Sequence, residues 1–476
     1  MPRPASPPPR GAPARGAPAA TRLGLTGVAC LMGLAGLVPR PLSAQAAPPD
    51  SAARRAVVDT LAALAERVYV SADTGRMIAE RLRAHLRDGT YARAARWRDL
   101  TNALTTDLRA VNGDTHLWVE LARPGDRPPP PRDETERRAN YFIERVDRLA
   151  GDVGYLRLGG FAGTAGAFAA VAGALRALEG TDAVVLDLRN AQGGSAQMAN
   201  FLVSHFTGPD TVPTVTAYDR LRGDTVRRYT AARVPGPRRP DVPLYVLVDR
   251  ITRSAAEDVP FTLQNLGRAR VVGERTAGAG HNNVVVPVGN GLEASFSVTR
   301  VVDPRSGREW ERVGVRPDVP APPARALEVA HLAALDQLAA RGAAAGDSLR
   351  ARALRLTREV VAAQYAHEAR AEASVGGGDG NPGAALAALG ALAGDYGGGG
   401  LVTRDGTRLY HQPRRALPRR EMVRLGALRY GVDATRFAFD GGRAPRLRVT
   451  AADGTTAVYE RQADGADVAP PQPPRP

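Results

Sequence analysis

The chain between residues 52 and 121 has the hydrophobic spacing of amphipathic helices. Apolar residues recur there every three or four positions, as they do along one face of a helix. A proline-rich run from Arg123 to Arg132 follows, and successive prolines cannot continue a helix. The pattern therefore predicts an N-terminal helical subdomain over residues 47–122 and a proline-rich linker over residues 123–137.

Beyond the linker, short runs of valine and leucine alternate with helical segments. Strands are predicted over residues 153–158, 183–188, 244–248 and 271–272, and helices over residues 163–178, 195–206 and 254–266. Two further segments, 213–229 and 284–302, alternate like antiparallel hairpins. Alternating strands and helices are typical of a mostly parallel sheet with helices on its faces. We therefore predict an α/β core over residues 138–325.

The carboxyl-terminal part of the chain shows several different patterns. Residues 326–374 have helical spacing, and residues 375–383 form a glycine-rich linker. Short alternating segments separated by Asp-Gly turns then predict a small all-β module over residues 384–463. The proline-rich end, residues 464–476, is predicted to be disordered.

The first 46 residues are typical of a secretory signal peptide. Arginines precede an apolar stretch over residues 23–38, and small residues follow it. The stretch is short for a membrane-spanning helix, so contact with a membrane is expected only if residues 1–46 stay uncleaved. The one cysteine, Cys30, lies inside this segment, which leaves the rest of the chain without a disulfide or a thiol nucleophile. We predict a periplasmic or secreted protein.

The composition of the chain excludes several kinds of chemistry. All 64 basic residues among the 476 are arginine, so a Schiff-base lysine, a catalytic lysine dyad and a phosphate-binding Walker lysine are ruled out. The formal net charge is +15, but aspartate and proline interrupt the arginine-rich patches, and no stacking aromatic residues lie among them. We therefore expect no nucleic-acid partner.

A pair of glycines marks the first loop where chemistry could take place, because ligands of open parallel sheets bind beyond the carboxyl ends of strands. Gly193 and Gly194 follow the strand over residues 183–188. Paired glycines let backbone N–H groups approach a ligand closely, as an oxyanion hole requires. They are also typical of a plain tight turn, which the pattern alone favours.

A serine marks the second loop. Ser254 follows the strand over residues 244–248 at the start of a helix, where the N–H of Ala255 could stabilise a developing negative charge. Ser-x-x-Glu, here ending at Glu257, is also the pattern of a helix capping box. By pattern alone, the cap is the favoured interpretation.

A serine nucleophile needs a base, and the chain has seven histidines. Five lie in helical patterns, at a helix end or in the C-terminal module, which leaves His116 and His281 in turn-like sequence. Periodicity does not choose between these two. No two histidines have metal-ligand spacing, so neither a metal site nor a cofactor is predicted.

Several motifs of the core occur together in one known family. They are Val184-Val-Leu-Asp-Leu-Arg189, Thr252-Arg-Ser-Ala-Ala-Glu257, Val272-Gly-Glu-Arg-Thr-Ala-Gly278 and Gly314-Val-Arg-Pro-Asp318. In this order they resemble the tail-specific serine peptidases, which include the C-terminal-processing proteases, the tricorn core and interphotoreceptor retinoid-binding protein. The resemblance covers residues 52–325 and is strongest to the retinoid-binding-protein-like branch. It implies a ClpP/crotonase-like core, here without room for the PDZ domain that the family commonly inserts.

The resemblance also implies the catalytic residues. Ser254 matches the family nucleophile, and Ala279 stands where the processing-protease branch has its lysine. The tricorn-like branch instead uses a histidine, a glutamate and a hydroxyl, which are matched here by His116, Glu311 and Thr115. Carboxylate support for the histidine is what a serine–histidine pair requires.

The remaining implied residues are the oxyanion donors, which would be the N–H of Ala255 together with that of Gly193 or Gly194. His281 stays the alternative base, because it lies close in sequence to the lost lysine position. Together these residues imply a serine hydrolase that acts on polypeptides. A non-catalytic binding protein for an apolar ligand is the alternative, since one branch of the family carries retinoids. Oligomeric state is not indicated by the sequence.

Overall fold

The computed structural model describes residues 48–122, 132–236, 238–374, 389–396, 399–405, 408–413, 419–425, 428–440 and 445–461. The predicted signal peptide over residues 1–46, the glycine-rich linker over residues 375–383 and the tail over residues 464–476 lie outside the described residues. So does the first part of the predicted proline-rich linker. No helix among the described residues is both long and apolar enough to cross a membrane.

The helices are α1 Ser51–Val68, α2 Ala72–Arg87, α3 Trp97–Ala110, α4 Arg132–Arg138, α5 Ala165–Ala177, α6 Ala196–His205, α7 Ala255–Asn265, α8 Pro323–Ala344 and α9 Ser348–Ser374. The strands up to the core's end are β1 Trp118–Leu121, β2 Ile143–Leu149, β3 Val153–Leu158, β4 Ala183–Asp187, β5 Pro213–Asp219, β6 Asp224–Tyr229, β7 Leu244–Val248, β8 Arg270–Gly273, β9 Asn282–Gly289, β10 Leu292–Val302 and β11 Val319–Pro320. The C-terminal strands are β12 Gly394–Asp395, β13 Leu401–Asp405, β14 Arg408–Gln412, β15 Arg420–Glu421, β16 Val423–Arg424, β17 Arg429–Val432, β18 Thr435–Phe439, β19 Arg446–Thr450 and β20 Thr456–Glu460.

A six-stranded sheet forms the centre of the core, in the order β11-β8-β7-β4-β3-β2. Its strands are parallel except for β2, which runs antiparallel to β3 at one edge. Every residue of β4 and β7 is buried, because α5, α6 and α7 cover one face of the sheet and α8 the other. Continuous valine and leucine runs are what a parallel sheet covered on both faces requires. The α/β class predicted from the sequence is confirmed.

A second, antiparallel sheet joins the N-terminal helices to the core. Its order is β1-β10-β5-β6, with β9 also paired to β10, and both predicted hairpins lie in it. Helices α1 to α3 pack on this sheet through a shared hydrophobic cluster that includes Leu61, Leu104 and Phe296. Strand β1 pairs with β10, with Trp118 opposite Ser295. The turn that precedes β1, and with it His116, is therefore held against the core.

The linker prediction was too long at its carboxyl end. Residues 132–137 belong to α4, which begins directly after the proline run. Two ion pairs at (i, i+4) spacing, Arg132–Glu136 and Arg138–Glu134, stabilise this short helix. Its buried Glu136 also accepts hydrogen bonds from the N–H groups of Gly163 and Thr164, so α4 is docked on the core.

Most described residues of the C-terminal segment lie in β-strands, as predicted. Strands β12–β15 and β16–β20 form two antiparallel sheets around a common apolar cluster. The helical segment that precedes it is divided into α8 and α9 by a turn at Gly346, whose φ of 79° is in the left-handed region. Helix α9 contacts β16 and β17, so the module lies against α9, on the side of the core opposite α5 to α7.

Candidate active site

Ser254 occupies an unusual backbone conformation at the start of α7. Its φ and ψ are 57° and −133°, in a region that residues with a Cβ rarely adopt. The N–H of Arg253 donates to the carbonyl of Ala191 at 3.0 Å, and the N–H of Ser254 donates to the Glu257 carboxylate at 2.9 Å. These bonds hold the serine in a sharp strand-to-helix turn at the positive end of the helix dipole.

Glu257 ties this turn to a second loop of the site. Its carboxylate is fully buried and accepts from the hydroxyl of Thr276 and from the N–H groups of Gly278 at 2.7 Å and Ala279 at 2.8 Å, besides that of Ser254. Burial raises the pKa of Glu257, and the hydrogen bonds offset this only in part. The sequence indicated a helix cap at this position. The structure shows that the same carboxylate also positions the loop of residues 276–279.

Two backbone N–H groups lie beside Ser254. Gly193 has a φ of 81°, and a Cβ on it would lie 2.8 Å from the Ser254 Cβ and 3.0 Å from the Ala255 nitrogen, so this close approach requires glycine. No acceptor for the N–H of Gly193 or Ala255 is found within the described part of the chain. Gly194 is equally constrained, because a Cβ there would lie 2.3 Å from the Phe161 carbonyl oxygen. Free N–H groups next to a serine can stabilise an oxyanion.

His116 lies in the turn between α3 and β1 and is buried. Its Nδ1 has no hydrogen-bond partner among the described residues and lies 3.7 Å from Oδ1 of Asp114. Burial lowers the pKa of the His116 imidazole to about 4, against the opposing attraction of Asp114. The preceding residue, Thr115, is exposed, and its hydroxyl accepts from Arg253 at 3.3 Å. The residues directly before His116 and Ser254 are thus in contact.

His281 and Glu311 meet on the other side of Asp114. The His281 Nδ1 lies 3.4 Å from Oδ2 of Asp114 and 3.8 Å from Oε2 of Glu311. Burial would lower the pKa of His281, but the two carboxylates outweigh it and raise the pKa. Glu311 Oε2 also accepts from the N–H groups of Gly280 at 2.6 Å and His281 at 3.1 Å. Glu311 therefore contacts His281, whereas the carboxylate that faces His116 is that of Asp114.

Asp114 was not identified from the sequence as a site residue. It is fully buried and accepts from the Tyr69 hydroxyl at 3.0 Å and from the His116 N–H at 2.9 Å. Burial alone would raise the pKa of Asp114, but its hydrogen bonds, that with His281 first, lower it to about 2. An aspartate two residues before a histidine in the same turn was the signal that the sequence offered.

A cavity of about 350 Å³ opens beside Ser254. His281 also lines it, and His116 does not. The other side chains in its wall are mostly apolar, namely Ala196, Val215, Ala217, Val226, Val301 and Trp310. Arg228 and Asp258 form an ion pair at the same wall. The cavity has the size and lining of a site for a side chain or small ligand.

Solved structures to which this chain is similar include a lipoprotein from Streptococcus agalactiae, with a TM-score of 0.42, 19% identity, and coverage of 60% of this chain and 96% of that chain. The photosystem II D1 C-terminal processing protease has a TM-score of 0.38 and 20% identity, over 57% of this chain and 93% of that chain.

Curated relatives are more similar in sequence. A carboxyl-terminal-processing protease from Picosynechococcus is 31% identical over 184 residues, which are 38% of this chain and 42% of the relative. The protein of the same name from Synechocystis is 34% identical over 166 residues, 35% of this chain and 37% of the relative. The chain thus spans about two fifths of the length of these relatives.

Two family profiles match adjoining parts of the chain. Residues 44–147 match the N-terminal domain of peptidase S41 in eukaryotic IRBP, and residues 152–321 match peptidase family S41. The second match contains Gly193, Ser254, His281 and Glu311, and the first contains Asp114 and His116. The chain belongs to peptidase family S41.

Proposed function

We propose that this protein is a serine hydrolase that cleaves polypeptides, with Ser254 as the nucleophile and His116 as its base. The observation that carries the proposal is the backbone of Ser254, which a buried carboxylate holds at a positive φ at a helix start. Next to it lie two N–H groups that have no acceptor among the described residues. Strain of this kind is stored at sites where a side chain must be presented in one orientation.

In the proposed reaction, the His116 imidazole accepts the proton of the Ser254 hydroxyl while the serine oxygen attacks the peptide carbonyl. The N–H of Ala255 and that of Gly193 or Gly194 donate to the oxyanion that forms. His116 then returns the proton to the leaving amine. Water repeats the sequence on the acyl-enzyme, which regenerates the serine and releases the acid.

Two carboxylates, those of Asp114 and Glu311, support His116 as the base. Asp114 faces His116, and Glu311 acts through His281 and Asp114 rather than by direct contact with His116. Thr115 holds Arg253 beside Ser254. His281 is the alternative base, since it lines the same cavity as the nucleophile. The periplasmic or secreted location rests on residues 1–46 and stays a prediction.

A fluorophosphonate probe tests the nucleophile directly. We expect stoichiometric labelling of the wild-type chain and none of Ser254→Ala. Ser195 provides a matched control, because it also begins a helix of the same core but has an ordinary φ of −72° and caps that helix with its side chain. Ser195→Ala should therefore still be labelled. Absence of labelling in the folded wild type would favour the alternative, a binding protein for an apolar ligand, which the apolar cavity wall would serve.

A further inference from the structure

Three potential metal ligands, Asp114, His281 and Glu311, form one cluster, and one ligand atom of each lies within 4.8 Å of those of the other two. The His281 Nδ1 is 3.4 Å from Oδ2 of Asp114 and 3.8 Å from Oε2 of Glu311. Both separations are long for a hydrogen bond, which is about 2.7–3.2 Å. They are close to the separation of about 3.4 Å between two ligands of a tetrahedral zinc ion with bonds of about 2.1 Å.

Another histidine–aspartate pair in the same chain forms an ordinary hydrogen bond, unlike the longer separations around His281. The Nδ1 of His85 lies 2.7 Å from Oδ2 of Asp107, a closed hydrogen bond, and Arg81 neutralises the same carboxylate at 2.9 Å. In the described part of the chain no arginine forms an ion pair with Asp114 or Glu311. The buried carboxylates of Asp114 and Glu311 both face the imidazole of His281. Even when it is protonated, this imidazole balances only one of their two negative charges. A divalent cation would balance both.

The unpaired nitrogen of His116 is an independent observation on the same cluster. This residue is only 6% exposed, and its Nδ1 faces the other oxygen of Asp114 at 3.7 Å without a hydrogen bond. The Asp114 carboxylate thus lies between two imidazoles, with its oxygens 3.4 Å from the His281 Nδ1 and 3.7 Å from the His116 Nδ1. The Tyr69 hydroxyl donates to Oδ2 of Asp114, and the N–H groups of Gly280 and His281 donate to Oε2 of Glu311. These bonds hold the two carboxylates in place, as the groups around metal ligands do.

We propose that Asp114, His281 and Glu311 bind a divalent transition-metal cation, with zinc as the representative ion. One imidazole and two carboxylates suit this class of cation better than magnesium or calcium, which prefer oxygen ligands alone. His281 also lines the Ser254 cavity, so the proposed metal site adjoins that cavity. A bound ion would occupy the carboxylates that support His116. Metal binding would therefore lower the reactivity of Ser254 reversibly, a consequence that rests on the proposed function.

Calorimetric titration of ZnCl2 into the chelator-treated full chain tests binding without reference to activity. We expect one high-affinity ion per chain, and an affinity at least about tenfold lower in Glu311→Gln and in His281→Ala. His85→Ala is the matched control, because it removes a partly buried histidine–aspartate contact elsewhere in the chain. The zinc affinity of this variant should equal that of the wild type. Wild-type affinity in both site variants, or no binding to the wild type, would overturn the proposal.

CoCl2 gives a second measurement that does not depend on how the variants fold. Cobalt in a site with a nitrogen ligand and few waters should give an intense visible absorption band in the wild type, and ZnCl2 should remove it. If the spectrum showed only the weak absorption band of hydrated cobalt, this result would count against the proposed site. Fluorophosphonate labelling measured both without zinc and at saturating zinc separates the two proposals. Zinc binding by a chain that is never labelled would refute the hydrolase function and leave the metal site standing.

Discussion

Asp114 and His281 are 167 residues apart in the sequence, and their side chains meet at 3.4 Å between Oδ2 and Nδ1. The first belongs to the turn after the N-terminal helices and the second to the loop that follows β8. The pairing of β1 with β10 brings them together. The candidate site is therefore shared between the two parts of the chain that the two family profiles match, and neither part contains it alone.

The two histidines should differ in their effect on Ser254. His116→Ala is expected to lower the rate of fluorophosphonate labelling by about a hundredfold or more, because the base is lost. His281→Ala should lower it less, since His281 would act only through Asp114. Labelling rates of both variants, each checked for native circular dichroism, decide the question. A dispensable His116 with an essential His281 would move the base to the loop after β8.

Gly193→Ala should impair labelling without unfolding the chain. The added Cβ would lie 2.8 Å from the Ser254 Cβ and 3.0 Å from the Ala255 nitrogen, so the proposed oxyanion donors must move apart. We expect a rate at least about tenfold lower. Gly223→Ala is matched, because its φ of 66° is also left-handed but a Cβ there meets no atom within 4 Å. Equal rates in the two variants would show that the contact at Gly193 does not matter.

Glu257→Ala should destabilise the core strongly. It removes the acceptor of three backbone N–H groups and one hydroxyl, which would be left buried and unpaired. We expect the free energy of unfolding to fall by about 3 kcal/mol or more, measured by urea denaturation. Glu179→Ala, at an exposed position without a hydrogen bond from the described residues, should change it by less than about 0.5 kcal/mol. A loss below about 1 kcal/mol in Glu257→Ala would contradict the positioning role.

His331 should make stability depend on pH. It is buried in α8, with Nε2 at 2.9 Å from the Ala150 carbonyl and Nδ1 at 3.2 Å from the Tyr365 hydroxyl. Burial lowers the pKa of His331 in the folded chain, so below the unfolded value of about 6.5 the unfolded chain binds a proton that the folded chain does not. The contribution of neutral His331 to the free energy of unfolding is therefore fully present above a pH of about 6.5. It is lost as the pH falls toward the pKa that His331 has in the folded chain.

The test compares urea unfolding of the wild type and His331→Gln at pH 7.5 and pH 5.5. Because the variant has no titrating group at this position, the wild type should lose more stability between the two values. A larger loss in the variant would show that His331 is stabilised in its charged form.

Local sequence patterns predicted the covered central sheet, the start of α7 and the family of this protein. The uninterrupted apolar runs of β4 and β7 indicated a sheet covered on both faces, since only such a sheet can bury every residue of a strand. The Ser-x-x-Glu pattern located the start of α7, and the ordered motifs of the core indicated the family, which is confirmed. The roles of Ser254, His116, Glu311 and Thr115 stay predictions.

The sequence by itself thus determined the elements, the α/β class and the position of the candidate serine, because each depends on residues a few positions apart. Tertiary structure decided which charged groups meet. Glu311 lies against His281 instead of His116, and Asp114 joins both histidines, because the register of β1 on β10 sets where the turn before β1 lies. Spacing along the chain carries no information on such contacts. They are fixed when distant strands pair and bury their side chains in a common interior.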